Sequence, residues 1–125
     1  DQEAGVRAVA EPERIAVADA YLMALLTHKG TSVDFHPDAI RYEAGIKTGR
    51  PGTHLTKSLT SGPQYRLVKN VREQNWSVDG DDVVVDFVLD VRLLPKPVHV
   101  YETFLIPADD PRIRRIDVKF RRPRQ

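Results

Sequence analysis

The sequence contains no cysteine. This absence excludes disulfide bonds, thiolate catalysis and thiolate metal sites, and it leaves the redox compartment undetermined. No apolar run approaches the roughly 20 residues that a membrane-spanning helix needs, and the pattern of a secretory signal peptide is missing. We therefore expect a soluble, cytoplasmic protein whose stability comes from packing. Export remains the alternative, because the sequence begins with Asp1 rather than methionine.

A charge excess of one sign is also missing, since the formal net charge is +1. No global field therefore favours nucleic acid or an acidic partner. The C-terminal segment RIRRIDVKFRRPRQ is locally basic, but arginines that alternate with apolar residues are typical of a solvated strand face. We expect no nucleic-acid partner and no membrane partner.

Neither a metal nor a cofactor is expected. The four histidines, His28, His36, His54 and His99, lack the spacing of a zinc-binding helix. The glycines near residue 50 do not form a GxGxxG or phosphate-binding loop, which argues against a nucleotide site. Metal-dependent and nucleotide-dependent chemistry are therefore not indicated by any motif.

A length of 125 residues suits one domain with a single core. We expect residues 1–11 to form an N-terminal arm and residues 12–125 to form the domain. The spacing predicts an amphipathic helix over 12–28, with Pro12 at its first turn and Gly30 as its stop. Apolar residues repeat along this segment at spacings of three and four: Ile15, Ala18, Leu22, Leu25 and Leu26.

Residues 34–52, DFHPDAIRYEAGIKTGRPG, connect this helix to the rest of the chain. A short helical turn after residue 30 is expected to end before Pro37. Alternation from residue 39 and the Ala44-Gly45 pair predict a hairpin. Pro51-Gly52-Thr53 then breaks the strand and precedes a short helix in which Leu55 and Leu59 lie four apart.

After residue 64 the pattern indicates four strands, at about 65–78, 82–93, 99–106 and 112–121. We expect the first to bend near Leu67 and Val68, where its alternation slips. The second has the clearest alternation, with an inward face of Val83, Val85, Phe87, Leu89, Val91 and Leu93. Asp86 and Asp90 oppose that face, so solvent or a subunit interface is expected there. In the last strand we expect Ile116, Val118 and Phe120 to face inward. Helices followed by antiparallel strands predict an α+β domain.

The chain resembles the NTF2-like superfamily in its SnoaL-like and ketosteroid-isomerase-like branch. The matching segments are VADAYLMALL, FHPDAIRYEAG, RPGTHLTKSL and VYETFLIPADDPRIRRIDVKF. The resemblance implies a cystatin-like α+β cone, in which N-terminal helices pack on a strongly curved, mostly antiparallel sheet. It also implies an apolar pocket between the first helix and the sheet, and a homodimer, which we expect to form through the outer sheet face.

The isomerase branch implies a tyrosine on the first helix, a carboxylate on the first strand and a carboxylic acid on a late strand. These places fall on Tyr21, Glu43 and Glu102. Glu43 would remove a proton next to a carbonyl, and Tyr21 and Glu102 would donate hydrogen bonds to the enolate oxygen. Both acids are glutamates where aspartate is usual, a displacement of about 1 Å that can cost roughly a hundredfold in rate. We expect the ligand to contact Tyr21, Leu25, Tyr42, His54, Trp76, Phe87 and Phe104.

Each candidate also has a structural interpretation. Tyr21 could pack in the core, Glu43 could be solvated or pair with Arg41 or Lys47, and Glu102 could pair with Arg92 or Arg115. We therefore favour a small-molecule-binding domain without assigned chemistry. The alternative is an isomerase, hydrolase or cyclase acting on a hydrophobic carbonyl or a polyketide-like or steroid-like substrate. A dimerisation module without a ligand is the third hypothesis, and it predicts a cone filled by side chains.

Overall fold

The structure, a computed structural model, describes residues 10–121. The strands are β1 (Phe35–Glu43), β2 (Ile46–Gly49), β3 (Val68–Asp79), β4 (Asp82–Val91), β5 (Val98–Leu105) and β6 (Ile113–Arg121). The helices are α1 (Glu11–Thr27) and α2 (His54–Ser61), with 3₁₀ turns at Gly30–Ser32 and Pro63–Leu67. This order confirms the predicted α+β class. Most of the N-terminal arm expected over residues 1–11 lies outside the described residues.

The six strands form one sheet in the order β2-β1-β6-β5-β4-β3. The pairing of β1 with β6 is parallel, and the other pairings are antiparallel. The predicted mostly antiparallel sheet is therefore confirmed. The first hairpin joins the sheet beside the last strand, which brings residues near position 43 next to residues near position 118.

The first helix packs its apolar face on the inside of the sheet, where Ala18 and Leu22 are fully buried. Near its start, the buried Arg14 donates hydrogen bonds of 2.8 Å to the carbonyl oxygens of Ile106 and Gly80. These bonds attach the beginning of α1 to the ends of two strands. Within residues 10–121, no helix is both long and apolar enough to span a bilayer.

The helix ends differently from the prediction. His28 adopts a left-handed conformation with φ of 60° and donates its backbone N–H to the carbonyl of Ala24, so it takes the position expected for Gly30. Gly30 instead starts the 3₁₀ turn. A Cβ atom on Gly30 would lie 2.1 Å from the carbonyl oxygen of Thr56. Glycine at this position therefore permits close packing between the turn and α2.

The predicted helical turn before Pro37 is shorter than expected, and β1 already begins at Phe35. Pro37 lies inside β1, where the register with β6 is interrupted between Phe35 and Ile40. A residue without an N–H is tolerated there. The hairpin turn is confirmed, with positive φ values at Ala44 and Gly45 as a type I′ turn requires.

The long third strand starts later than predicted, because residues 63–67 form a 3₁₀ turn. Its register with β4 shifts between Val68 and Asn70 and again between Arg72 and Asn75. The first shift confirms a bend near Val68. The second, at Glu73 with φ of 59°, was not predicted. Such irregularities bend a long strand.

Two apolar residues expected on the inner face are exposed. Leu93 lies beyond the end of β4 at Val91 and is 91% exposed, and Phe120 near the end of β6 is 54% exposed. For Leu93, alternation was continued past the end of β4, where it no longer implies burial. Phe120 does share the inner face with its strand partner Val100, as predicted, and is partly exposed there. Asp86 and Asp90 lie opposite the buried face, as predicted, and contact Arg121 and Arg72.

Candidate functional site

A cavity of about 270 Å³ lies between α1 and the inner face of the sheet. Its walls are mostly aliphatic and aromatic, with a few polar groups among them. The lining residues are Tyr21, Leu25, Glu43, Gln64, Tyr65, Val68, Phe87, Leu89, Val91, Val100, Glu102, Val118 and Phe120. An apolar enclosure with a small number of polar groups is typical of a small-molecule site.

Strand register places the two acids of the cavity on the same face. Val118 of β6 is paired with Glu43 of β1 on one side and with Glu102 of β5 on the other. Residues directly paired across a sheet point to the same side, and neighbouring strands are about 4.8 Å apart. The two backbone positions are therefore about 10 Å apart, with the Val118 side chain between them.

Glu102 is buried with 2% of its surface exposed. Burial, and secondarily the charge of Glu43, raise the pKa of the Glu102 carboxyl to about 8. Its Oε2 has no hydrogen-bond partner among the described residues. The expected ion pair with Arg92 or Arg115 is also not found within residues 10–121, and Arg115 pairs with Asp117 instead. At neutral pH Glu102 is therefore mainly a neutral acid that can donate a hydrogen bond.

Tyr21 is buried, and its hydroxyl accepts a hydrogen bond of 3.2 Å from Nη1 of Arg41. Edge-to-face contacts with Phe35 and Phe104 fix its ring. Burial raises the pKa of the Tyr21 hydroxyl, so the group keeps its proton. Because the bond from Arg41 uses a lone pair of the oxygen, that proton is available to a ligand in the cavity.

Arg41 is the buried polar residue next to this cavity that the sequence interpretation did not propose as a site residue. Its side chain is fully buried, and besides Tyr21 it donates to the hydroxyl oxygen of Thr48 at 3.1 Å and to the Thr48 carbonyl at 3.0 Å. Alternation would have indicated it, since residues two apart on a strand share a face and Glu43 was expected inside. Tyr42 must then point outward, where the Arg115 guanidinium lies 4.6 Å from its ring centroid.

Glu43 is held at the cavity wall by two contacts. The hydroxyl of Tyr65 donates a hydrogen bond of 2.7 Å to its Oε2, and Nε of Arg41 lies 3.7 Å from the same oxygen. The expected neighbour Arg41 is therefore present, whereas Lys47 forms no ion pair among the described residues. Burial raises the pKa of the Tyr65 hydroxyl, so it remains a donor. Both contacts suit a carboxylate at Glu43.

The ligand-contact residues expected from the sequence divide into two groups. Tyr21, Leu25 and Phe87 line the cavity, whereas Tyr42, His54, Trp76 and Phe104 do not. Phe104 is fully buried in the core, where its ring contacts that of Tyr21. Trp76 lies on β3 and packs against the same core without reaching the cavity. His54 lines a separate shallow cleft, and its Nδ1 accepts the backbone N–H of Arg50.

Within residues 10–121, no group of three or more His, Cys, Asp or Glu side chains could hold a metal ion. The cavity instead offers a carboxylate at Glu43 and neutral hydrogen-bond donors at Tyr21 and Glu102. This arrangement can bind an oxygen acceptor, and it combines a base with two donors.

The fold is NTF2-like. An NTF2-like protein of unknown function from Burkholderia xenovorans LB400 superposes with a TM-score of 0.72 at 11% identity, over 92% of this chain and 88% of that chain. A putative polyketide cyclase from Sinorhizobium meliloti gives a TM-score of 0.66 at 20% identity, over 83% and 94%. A steroid delta-isomerase from Pseudomonas aeruginosa gives 0.65 at 18% identity, over 91% and 82%.

Sequence comparison adds a family but no activity. A family model described as "Domain of unknown function (DUF8021)" matches residues 8–120. No curated protein matches the chain significantly.

Proposed function

The chain belongs to the family described as "Domain of unknown function (DUF8021)", and we propose that it binds a small, mostly apolar molecule that carries a hydrogen-bond-accepting oxygen. The observation that carries this proposal is Glu102, a buried acid whose Oε2 has no partner among the described residues. An unsatisfied buried polar group costs about 1–3 kcal/mol. A ligand oxygen at this place would relieve that cost.

The cavity volume limits the size of the ligand. An apolar cavity of about 150 Å³ accepts benzene, and this cavity measures about 270 Å³. The ligand that fits has one or two rings, or a short branched aliphatic chain. Phe87, Leu25 and Val100 supply apolar contacts for its body.

The polar groups of the cavity select the chemistry of the ligand. Glu102, with a pKa of about 8, and Tyr21, whose pKa is also raised by burial, are both protonated at neutral pH. Both donors line the same cavity. They therefore suit a ligand carbonyl oxygen, which accepts hydrogen bonds, better than a ligand group that itself donates them. A carboxylate ligand is disfavoured, because it would lie close to Glu43 without a free cation among the lining residues.

An acid–base enzyme is the second candidate, and Glu43 is the observation that favours it. This carboxylate lines the cavity that also contains Tyr21 and Glu102. Glu43 would take a proton from the carbon next to a ligand carbonyl. The electron pair would form an enolate, whose oxygen would accept hydrogen bonds from Tyr21 and Glu102. Isomerisation or cyclisation of a carbonyl compound would follow from such an enolate.

A matched pair of ligands tests the binding proposal. 1-Tetralone and tetralin have nearly the same shape, but only the first carries a carbonyl oxygen. Isothermal titration should show tighter binding of 1-tetralone, by about tenfold for one hydrogen bond to a buried donor. The preference should shrink in Glu102→Met, which keeps the volume and removes one of the two donors. Equal affinity of both compounds for the unmodified protein would contradict the proposal.

The enzyme candidate has its own readout. In D₂O, proton NMR would follow exchange of the hydrogens next to the carbonyl of 1-tetralone. We expect Glu43→Gln to reduce protein-catalysed exchange by at least about a hundredfold, the usual range for a general base, while binding persists. Exchange at the buffer rate with unmodified, ligand-bound protein would exclude proton abstraction and leave the binding proposal intact.

We further propose a cytoplasmic homodimer formed through the outer sheet face. Support comes from Tyr42 and Tyr101, which lie on that face half-buried, each with an arginine over its ring. Tyrosine and arginine are enriched at interfaces. Sedimentation velocity on Tyr101→Glu should show a monomer if this face pairs two copies.

The hypothesis of a dimerisation module without a ligand predicts a cone filled by side chains, whereas the cavity measures about 270 Å³.

A further inference from the structure

The open end of the cavity is bordered by exposed apolar side chains. Phe120 lines the cavity and is 54% exposed. Val91 also lines it and is followed by the β4–β5 loop, residues 92–97, in which Leu93 is 91% exposed and Leu94 is 53% exposed. The backbone N–H of Arg92 donates to the carbonyl of Leu67 at 2.8 Å. The loop and the start of β3 therefore lie together at this end, which we call the mouth.

Leu93 combines two unfavourable features. Its φ of 73° lies in the left-handed region, which costs free energy for any residue with a Cβ and suits glycine or asparagine. Its side chain is almost fully exposed. The turn that holds this conformation is closed by the backbone N–H of Leu94, which donates to the carbonyl of Val91 at 3.2 Å. The apolar side chain of Leu93 is thereby held in solvent, where it is free to contact a partner.

The apolar mouth is surrounded by positive charge. Arg66, Lys69, Arg92 and Lys96 flank it, and none of them forms an ion pair within the described part of the chain. Asp90 lies near Lys69 and Lys96, but both of its carboxylate oxygens accept hydrogen bonds from Arg72. The whole chain has a net charge of only +1. Positive charge is therefore concentrated at the mouth.

We propose that the mouth docks on an anionic membrane surface, a peripheral contact that would correct the expectation of no membrane partner. The leucines of the β4–β5 loop would enter the boundary between headgroups and acyl chains, and the four cations would contact lipid phosphates and carboxylates. A membrane suits this surface better than a folded protein partner does, because single leucines that project from a loop suit insertion rather than flat packing. The cavity also opens here, so an apolar ligand could pass between bilayer and cavity. The docking itself does not depend on the proposed ligand.

Vesicle co-sedimentation tests the proposal with two lipid compositions. The full chain should bind vesicles that contain about 30 mol% phosphatidylserine in phosphatidylcholine, and it should bind pure phosphatidylcholine much more weakly. Raising the salt from about 0.1 M to about 1 M should release most of the protein, because the screening length shortens from about 10 Å to about 3 Å. No binding to the anionic vesicles at low salt would overturn the proposal.

Two variants separate the apolar and the electrostatic contributions. Leu93→Asn with Leu94→Asn should lower the partition coefficient at least about tenfold, since two apolar side chains no longer enter the bilayer. Asparagine tolerates the left-handed region, so folding should be preserved. Arg92→Gln with Lys96→Gln should lower partitioning by about fivefold for each charge removed.

Met23→Gln is the matched control. Met23 is 46% exposed on the side of α1 away from the cavity, so its replacement should leave vesicle binding unchanged. Thermal unfolding of each variant would show that the fold is kept. Undiminished binding of the leucine variant would overturn the proposal. So would concentration-dependent self-association that the leucine variant abolishes, without vesicle binding, because a second copy would then be the occupant.

Discussion

Nη1 of Arg41 donates a hydrogen bond of 3.2 Å to the hydroxyl oxygen of Tyr21, and both side chains are buried. The bond joins β1 to α1 and uses a lone pair of the tyrosine oxygen, so the hydroxyl can still donate its own proton. It also keeps a guanidinium near Glu43, whose Oε2 lies 3.7 Å from Nε of Arg41. One buried cation therefore supports both the proposed donor and the proposed base.

Tyr21→Phe should lower the free energy of unfolding by about 1–3 kcal/mol, because it leaves Nη1 of Arg41 without an acceptor in a buried site. In a double-mutant cycle with Arg41→Met, the coupling energy should be about 1 kcal/mol or more. Urea unfolding measures both quantities. Tyr42→Phe is the matched control on the outer face, and it should change stability by less than about 0.5 kcal/mol. Additive effects of the two buried substitutions would show that the hydrogen bond is not coupled.

Because Glu102 is buried, we expect the free energy of unfolding to fall as pH rises. Its pKa of about 8 in the folded protein exceeds the ordinary glutamate value of 4.5, so between these values the folded state binds a proton that the unfolded state has lost. This contribution is fully present below about pH 4.5 and is lost as pH rises through about 8, on the order of 1 kcal/mol for each pH unit. Chemical unfolding from pH 4 to pH 9 should show this slope.

Glu102→Met and Glu102→Gln are the controls for this titration. Both side chains are neutral at every pH, so the difference in stability between each variant and the unmodified protein should grow in favour of the variant as pH rises. A constant difference from pH 4 to pH 9 would mean that the carboxyl titrates at the same pH in the folded and unfolded states.

Gly49→Ala should destabilise the protein by about 1–3 kcal/mol, as overpacking of a dense core does. A Cβ atom on Gly49 would lie 2.3 Å from a methyl carbon of Leu55 and 2.7 Å from Cβ of Arg41. The clash should also displace the Arg41 guanidinium, which thermal unfolding and ligand affinity would both detect. Gly45→Asn is the control in the same hairpin, since asparagine tolerates a positive φ and no atom lies within 4 Å of the added Cβ. Equal effects of the two substitutions would contradict this explanation.

Local patterns predicted most of the elements. The spacing of Ala18, Leu22 and Leu25 identified α1, and Ala44-Gly45 identified the hairpin turn, because helix periodicity and turn conformation depend on near neighbours in the chain. The prediction for Leu93 was wrong, because an alternating pattern does not indicate where the sheet ends. Tyr42 was expected in the cavity together with Glu43, although neighbouring strand residues point to opposite faces.

The sequence by itself determined the α+β class and the alternation of each strand, and its resemblance to a known superfamily implied Tyr21, Glu43 and Glu102 as candidates. Tertiary structure decided that Glu43 and Glu102 flank Val118, that Arg41 contacts Tyr21, and that Tyr65 donates to Glu43. The physical reason is that side-chain alternation follows from the geometry of a single strand. The pKa of Glu102, by contrast, depends on burial by elements far apart in the chain, which are brought together only when β1 pairs with β6.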